Sequence, residues 1–78
     1  MKDIILENIC YTELVYQRIN KKLSLNLLKT EIEMLVYQTI KDESSTITRK
    51  GKNYYIKNIQ KHIQITVNAN NYRVITAR

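Results

Sequence analysis

Two changes coincide in this chain of 78 residues. Every carboxylate lies at or before Glu43, and there the spacing of apolar residues changes from helical to alternating. A helix repeats about every 3.6 residues and a strand every two, so the switch divides the chain into a helical part, 1–43, and a β part, 44–78. No repeat, low-complexity tract or linker separates them, so both belong to one domain, 1–78. A domain this small buries only about 60% of the surface its unfolded chain exposes, and hairpins alone are not stable. Each part must therefore cover the other. The expected fold is α+β: two or three N-terminal helices packed on one face of a C-terminal antiparallel sheet of about four short strands.

In the helical part, Ile5, Ile9 and Cys10 mark a first helix, with Cys10 expected as a small buried hydrophobe. Thr12 is a cap candidate for a second helix carrying Leu14, Val15, Arg18, Ile19, Lys22 and Leu23. No Pro or Gly separates the two, so a single helix is the alternative. Leu28, Ile32, Leu35, Val36, Thr39 and Ile40 form the stripe of the next helix, with Ser24 or Asn26 as its cap candidates. In the β part, Thr46–Arg49 and Asn53–Asn58 flank Lys50-Gly51, where the only glycine suits a tight turn. His62–Ala69 and Tyr72–Ala77 flank Asn70-Asn71, asparagine being next best at such positions.

Two-residue turns would place Ile47 opposite Tyr54, Val67 opposite Val74 and Ile65 opposite Thr76. Ile47, Tyr54, Ile56, Ile63, Ile65, Val67, Ala69, Tyr72 and Val74 then share the core side. The other side carries Thr46, Thr48, Asn53, Tyr55, Lys57, His62, Gln64, Thr66, Asn68 and Arg73. Any sheet with one wet face alternates in this way. This face differs in having no carboxylate and in exposing one ring, Tyr55, on which a base can stack.

Charge points to partners. Residues 1–43 hold six bases and seven acids; residues 44–78 hold seven bases and no acid. Such a field draws phosphates and polyanions, although a positive surface also serves solubility alone. The leading expectation is a nucleic-acid partner, RNA favoured, held by Arg49, Lys50, Lys52, Tyr55, Lys57, Arg73 and Arg78. The alternative is a phage-type inhibitor or interaction protein that binds the nucleic-acid site or acidic surface of another protein. A third expectation is a homodimer through Tyr72–Ala77, an unprotected edge if the strands run in order. No apolar run reaches membrane-spanning length, and Asp3 and Glu7 interrupt the N-terminal apolar stretch against a signal peptide. The expected location is the cytoplasm of the producing or host cell.

Few chemistries fit. One cysteine forms no internal disulfide and no cysteine zinc site, and His62, the only histidine, makes neither a metal site nor a triad. No P-loop, dinucleotide fingerprint, nucleophile elbow or paired carboxylates occur. Protease, kinase and redox readings are excluded, and no metal or cofactor is expected. A metal-independent endoribonuclease needs only a base, an acid and cations for the developing charge. His62, Tyr55 and Arg73 are its candidates, beside Lys57. His62 reads equally well as an exposed strand residue.

Several segments carry a resemblance. Thr12-Glu13-Leu14, Arg18-Ile19, Leu23, the run Arg49–Tyr55, Ile65–Ala69 and Tyr72–Ala77 resemble the pattern of a small bacterial and phage-associated family catalogued only as a domain of unknown function. That resemblance covers most of the chain and implies no activity. More loosely, the Arg18-Ile19 helix element and the closing Val74-Ile75-Thr76-Ala77-Arg78 resemble RelE- and BrnT-like ribonuclease toxins. That likeness implies helices followed by a sheet that presents basic side chains to messenger RNA.

Overall fold

The computed structural model describes residues 1–78. Three helices, α1 (Lys2–Asn8), α2 (Glu13–Leu23) and α3 (Lys29–Lys41), precede four strands: β1 (Thr46–Lys50), β2 (Asn53–Asn58), β3 (Ile63–Asn68) and β4 (Val74–Ala77). The strands pair antiparallel in chain order, giving the α+β arrangement that the periodicity indicates. One sheet face meets the helices. Ile5, Val15, Ile19, Ile32, Val36 and Ile40 from the helices close on Tyr54, Ile56, Ile65, Val67, Val74 and Ala77 from the sheet. Burying one such isoleucine side chain stabilises the fold by about 1.5–3 kcal/mol.

The chain leaves the helix between α1 and α2 with no glycine or proline to break it. The cause is tertiary. The Cys10 N–H donates to the Tyr72 carbonyl at 3.0 Å, and the Val74 N–H donates to the Cys10 carbonyl at 2.9 Å. This one-residue parallel bridge to β4 gives Cys10 backbone partners that a continuous helix would supply. It also corrects the expectation for Cys10, which lies exposed at the sheet edge instead of in the core. Thr12 does occupy the N-cap of α2, without a side-chain bond. Ser24 closes α2 in a left-handed conformation, and Leu28, not Ser24 or Asn26, precedes α3. The Glu31 carboxylate accepts the Leu28 N–H at 2.8 Å, which holds that end without a hydroxyl cap.

Strand register departs from the expected pairing in two ways. In the first hairpin Lys50 pairs with Asn53, so the turn is Gly51-Lys52 and Ile47 faces Ile56 rather than Tyr54. Gly51 takes φ +63° there. The shift is by two residues, so every side chain keeps its face. In the last hairpin Val67 faces Val74 as expected, but Thr66 then faces Thr76 and Ile65 faces Ala77. Ile75 is an extra, bulged residue, and a one-residue insertion exchanges the two sides of everything after it. Thr76 moves to the open face, Ala77 enters the core, and Arg78 exchanges both backbone bonds with Gln64 at 2.7 and 2.9 Å.

His62 also moves. It lies not in β3 but at the end of the β2–β3 turn, with φ +55° and its N–H on the Ile59 carbonyl. The outer edge of β4 is covered over part of its length. Cys10 takes Tyr72 and Val74, and the Arg18 guanidinium donates to the Ile75 carbonyl at 3.2 Å.

One buried polar chain ties the β2–β3 corner to α3. Asn58 is at the core side of β2 and fully buried. Its amide donates to Ser45 Oγ at 2.8 Å, and Ser45 Oγ donates to the Thr39 carbonyl at 2.5 Å. The Asn58 side-chain Oδ1 accepts the Lys61 N–H at 2.8 Å. Removing such a group strands its partners away from water. Asn58→Ala is expected to lower unfolding free energy by about 1–3 kcal/mol, read as a lower urea midpoint. Thr48→Ala, on the open face, should change it by no more than about 0.5 kcal/mol.

Candidate nucleic-acid interface

The face turned away from the helices is built of three cross-strand rows. The first is Thr46, Lys57, Gln64 and Arg78. The second is Thr48, Tyr55, Thr66 and Thr76. The third is Lys50, Asn53 and Asn68, whose N–H donates to the Arg73 carbonyl at 2.9 Å. Tyr55, half-buried, thus stands in the middle row with cations in the rows on both sides. No acid belongs to any strand. The Thr76 hydroxyl in Tyr55's row is buried and has no hydrogen-bond partner within the protein.

Tyr55 is also the one ring of six without a ring or cation partner. Tyr11 and Tyr16 stack at 5.4 Å, with the Lys29 ammonium 5.4 Å from the Tyr16 ring. Tyr54 and Tyr72 stack at 6.4 Å, Arg49 lies 5.8 Å from the Tyr54 ring, and Lys41 lies 5.7 Å from Tyr37. Five rings are committed to the protein's own packing.

The basic residues read from the sequence divide accordingly. Lys50, Lys57 and Arg78 project from the open face. Lys52 lies in the hairpin turn, exposed. Arg49 is a correction: it shares Ile47's side of β1 and lies over Tyr54, so it does not join Lys50 and Lys52 in one cluster. Lys57, His62, Gln64 and Arg78 border an open hollow of about 430 Å3, with Asn58, Ile59 and Ile63 also in its wall. Arg73 is at the far end. The six residues of β3 separate it from His62, a span on the order of 20 Å. Tyr55 pairs midway, opposite Thr66. His62, Tyr55 and Arg73 are therefore not assembled into one reaction centre; His62 has Lys57 and Arg78 for neighbours.

A further basic set was not singled out from the sequence. Gln17, Arg18, Lys21 and Lys22 line one flank of α2 beside Leu14. Positions 14, 17, 18, 21 and 22 repeat at helical spacing, so the signal was present. It was hidden by reading Arg18 and Lys22 with the apolar stripe.

Several acids are engaged elsewhere. Glu13 pairs with Lys29 at 2.6 Å, and Glu33 accepts the Tyr16 hydroxyl at 2.5 Å. Asp42 accepts both the hydroxyl and the N–H of Ser44, at 2.7 and 2.8 Å, and these bonds hold its carboxyl below the usual range. The tyrosine pair is affected in the opposite direction. Desolvation, then the hydrogen bond and charge of Glu33, push Tyr16 up to about 12. Burial and the Glu33 charge raise Tyr11 further.

The model of a family described as "Protein of unknown function (DUF3781)" matches residues 4–78. The chain belongs to that family. The match takes in α1 from its third residue, the whole of α2 and α3 and the whole sheet, so membership covers the open face and the α2 flank alike. Comparison with curated proteins and with solved structures gave no match, and the looser resemblance to ribonuclease toxins gains no support from it. No helix is long and apolar enough to cross a membrane.

The raised tyrosines give the fold an alkaline limit. A group held protonated in the folded state contributes fully below its unfolded value and loses that contribution as pH passes its folded one. The urea midpoint should therefore hold up to pH 10.0 and fall as pH rises toward about 12. Tyr16→Phe should make that fall shallower; equal slopes would show that the Tyr16–Glu33 bond is not its source.

Proposed function

We propose that this chain binds single-stranded nucleic acid, RNA above all, on the open face of its sheet. The observation that carries this reading is Tyr55: an uncommitted ring between rows that hold Lys50, Lys57 and Arg78, on a sheet without a carboxylate. A base stacks on the ring whatever its identity, while the cations hold backbone phosphates. Such a surface favours binding with little sequence preference.

A metal-independent endoribonuclease of the RelE/BrnT-like toxin kind is the narrower form of this reading. Its chemistry would sit at the Lys57–His62–Arg78 end, where an imidazole and two cations share one hollow. His62→Gly tests it cleanly, because φ +55° suits glycine and the fold should be retained. Growth arrest on expression that His62→Gly relieves supports cleavage; equal toxicity removes His62 from it.

A second reading has its own observation. Exposed Leu14 and Ile59 adjoin the basic hollows, so an inhibitor docking on another protein's acidic, partly apolar surface fits them. Both readings place the protein in the cytoplasm of the producing or host cell. A stoichiometric protein partner on purification favours the second, and bound RNA the first. Self-pairing through β4 would use the stretch beyond Ile75, since Cys10 and Arg18 occupy the rest; gel filtration at two concentrations reads it.

The deciding experiment is oligonucleotide affinity against salt. RNA binding should weaken about tenfold or more between 50 and 200 mM salt. Tyr55→Ala should cost about 1–3 kcal/mol of binding. Affinity unaffected by salt, or by loss of the Tyr55 ring, would overturn the reading.

A further inference from the structure

We infer that the nucleic-acid path does not end at β4 but turns over the edge of the sheet onto α2. The inference rests on the reading above and extends it to a second surface. Two hollows carry it. One, of about 210 Å3, lies where α2 meets β4 and has both Arg73 and Arg18 in its wall. The other, of about 630 Å3, runs along α2 between Leu14, Gln17, Arg18, Lys21 and Lys22. Leu14 and Arg18 border both, so the two lie side by side.

Arg18 marks the crossing. One of its guanidinium nitrogens donates to the Ile75 carbonyl at 3.2 Å, fixing the side chain across the bulge of β4. The other donors of a guanidinium remain available to a phosphate. Arg73 reaches the same hollow from the end of the open face. The cations therefore form a line from the sheet, over the edge, to the last turn of α2.

Charge chooses the occupant. Glu13, the one acid of α2, is in the wall of neither hollow and is paired with Lys29 of α3 at 2.6 Å. Tyr16, one turn on, is bonded to Glu33 of α3. The helix thus turns its acid toward α3 and leaves Arg18, Lys21 and Lys22 unopposed beside the sheet edge. Cations in a last helical turn also favour the helix dipole. That explains Lys21 and Lys22 but not Arg73 and Arg18 meeting in one hollow. An uncompensated basic track continuous with a stacking platform suits a single strand that bends, because its backbone follows the charges while its bases remain free to stack.

The path makes binding depend on length. Single-strand sites span on the order of 4–16 nucleotides, so oligouridylates of about 4 and about 12 nucleotides separate the sheet from the full track. Lys21→Ala/Lys22→Ala changes two exposed side chains and should leave the fold intact. For the longer RNA, the variant should bind about tenfold more weakly. Its salt slope, log affinity against log salt, should fall by about 1.4, or 0.7 per lost phosphate contact. The loss should be confined to the longer RNA. If the variant binds the longer RNA as the parent does, while Tyr55→Ala weakens both lengths, the α2 path is wrong and the sheet reading stands. If the variant weakens both lengths equally, the lysines act through their field alone and the path is likewise wrong. If neither RNA binds the parent protein, both readings fall together.

Discussion

Each strand of this sheet has one side claimed by the core, and the pleat then assigns the other side without further choice. Tyr54 and Ile56 close on the helices, so Tyr55 and Lys57 must face away. Ile65 and Val67 do the same for Gln64 and Thr66. The candidate interface is in this sense a by-product of burial. Its composition is not: nothing in packing requires that a wet face carry lysine and arginine and no carboxylate.

That constraint is broken once, and the break matters. At the bulge, Ile75 has no partner, and the alternation of β4 reverses after it. In a regular strand Arg78 would share the side of Val74. With the bulge it lies opposite Gln64 on the open face, beside Lys57 and His62. The same end of the sheet is held from within by Asn58, which bonds Ser45 with one end of its amide and Lys61 with the other. The turn that carries His62 is therefore anchored to α3 through Ser45 and Thr39.

Much of the fold was legible because periodicity and burial act together. The α3 residues Ile32, Val36, Thr39 and Ile40 are buried as their spacing indicates, and Val67 faces Val74. The first hairpin was misread by two residues at no cost to its faces, since two is the period of the pleat. What stayed hidden depends on contacts far apart in the chain. Cys10 pairs with β4 across some sixty residues, and neither its local apolar setting nor the absence of glycine could show the helix break it causes. The bulge at Ile75 and the left-handed turn at His62 likewise carry no residue signature. Of the interface, the pleat revealed Tyr55, Lys57 and the rows around them. Arg49 was misplaced because its cation lies over the Tyr54 ring, and the α2 flank was missed because a basic helix face beside a sheet edge has meaning only once the two are packed together.

The central claim is that one face of the sheet, centred on an uncommitted tyrosine, receives a nucleic-acid strand. Backbone amide shifts followed by nuclear magnetic resonance during titration with a short single-stranded RNA test it most directly. Shifts should concentrate on residues of the three rows, among them Thr48, Lys50, Tyr55, Lys57, Gln64, Thr66 and Arg78. Shifts gathered instead on α1 and α3, or a spectrum unmoved by RNA, would contradict it.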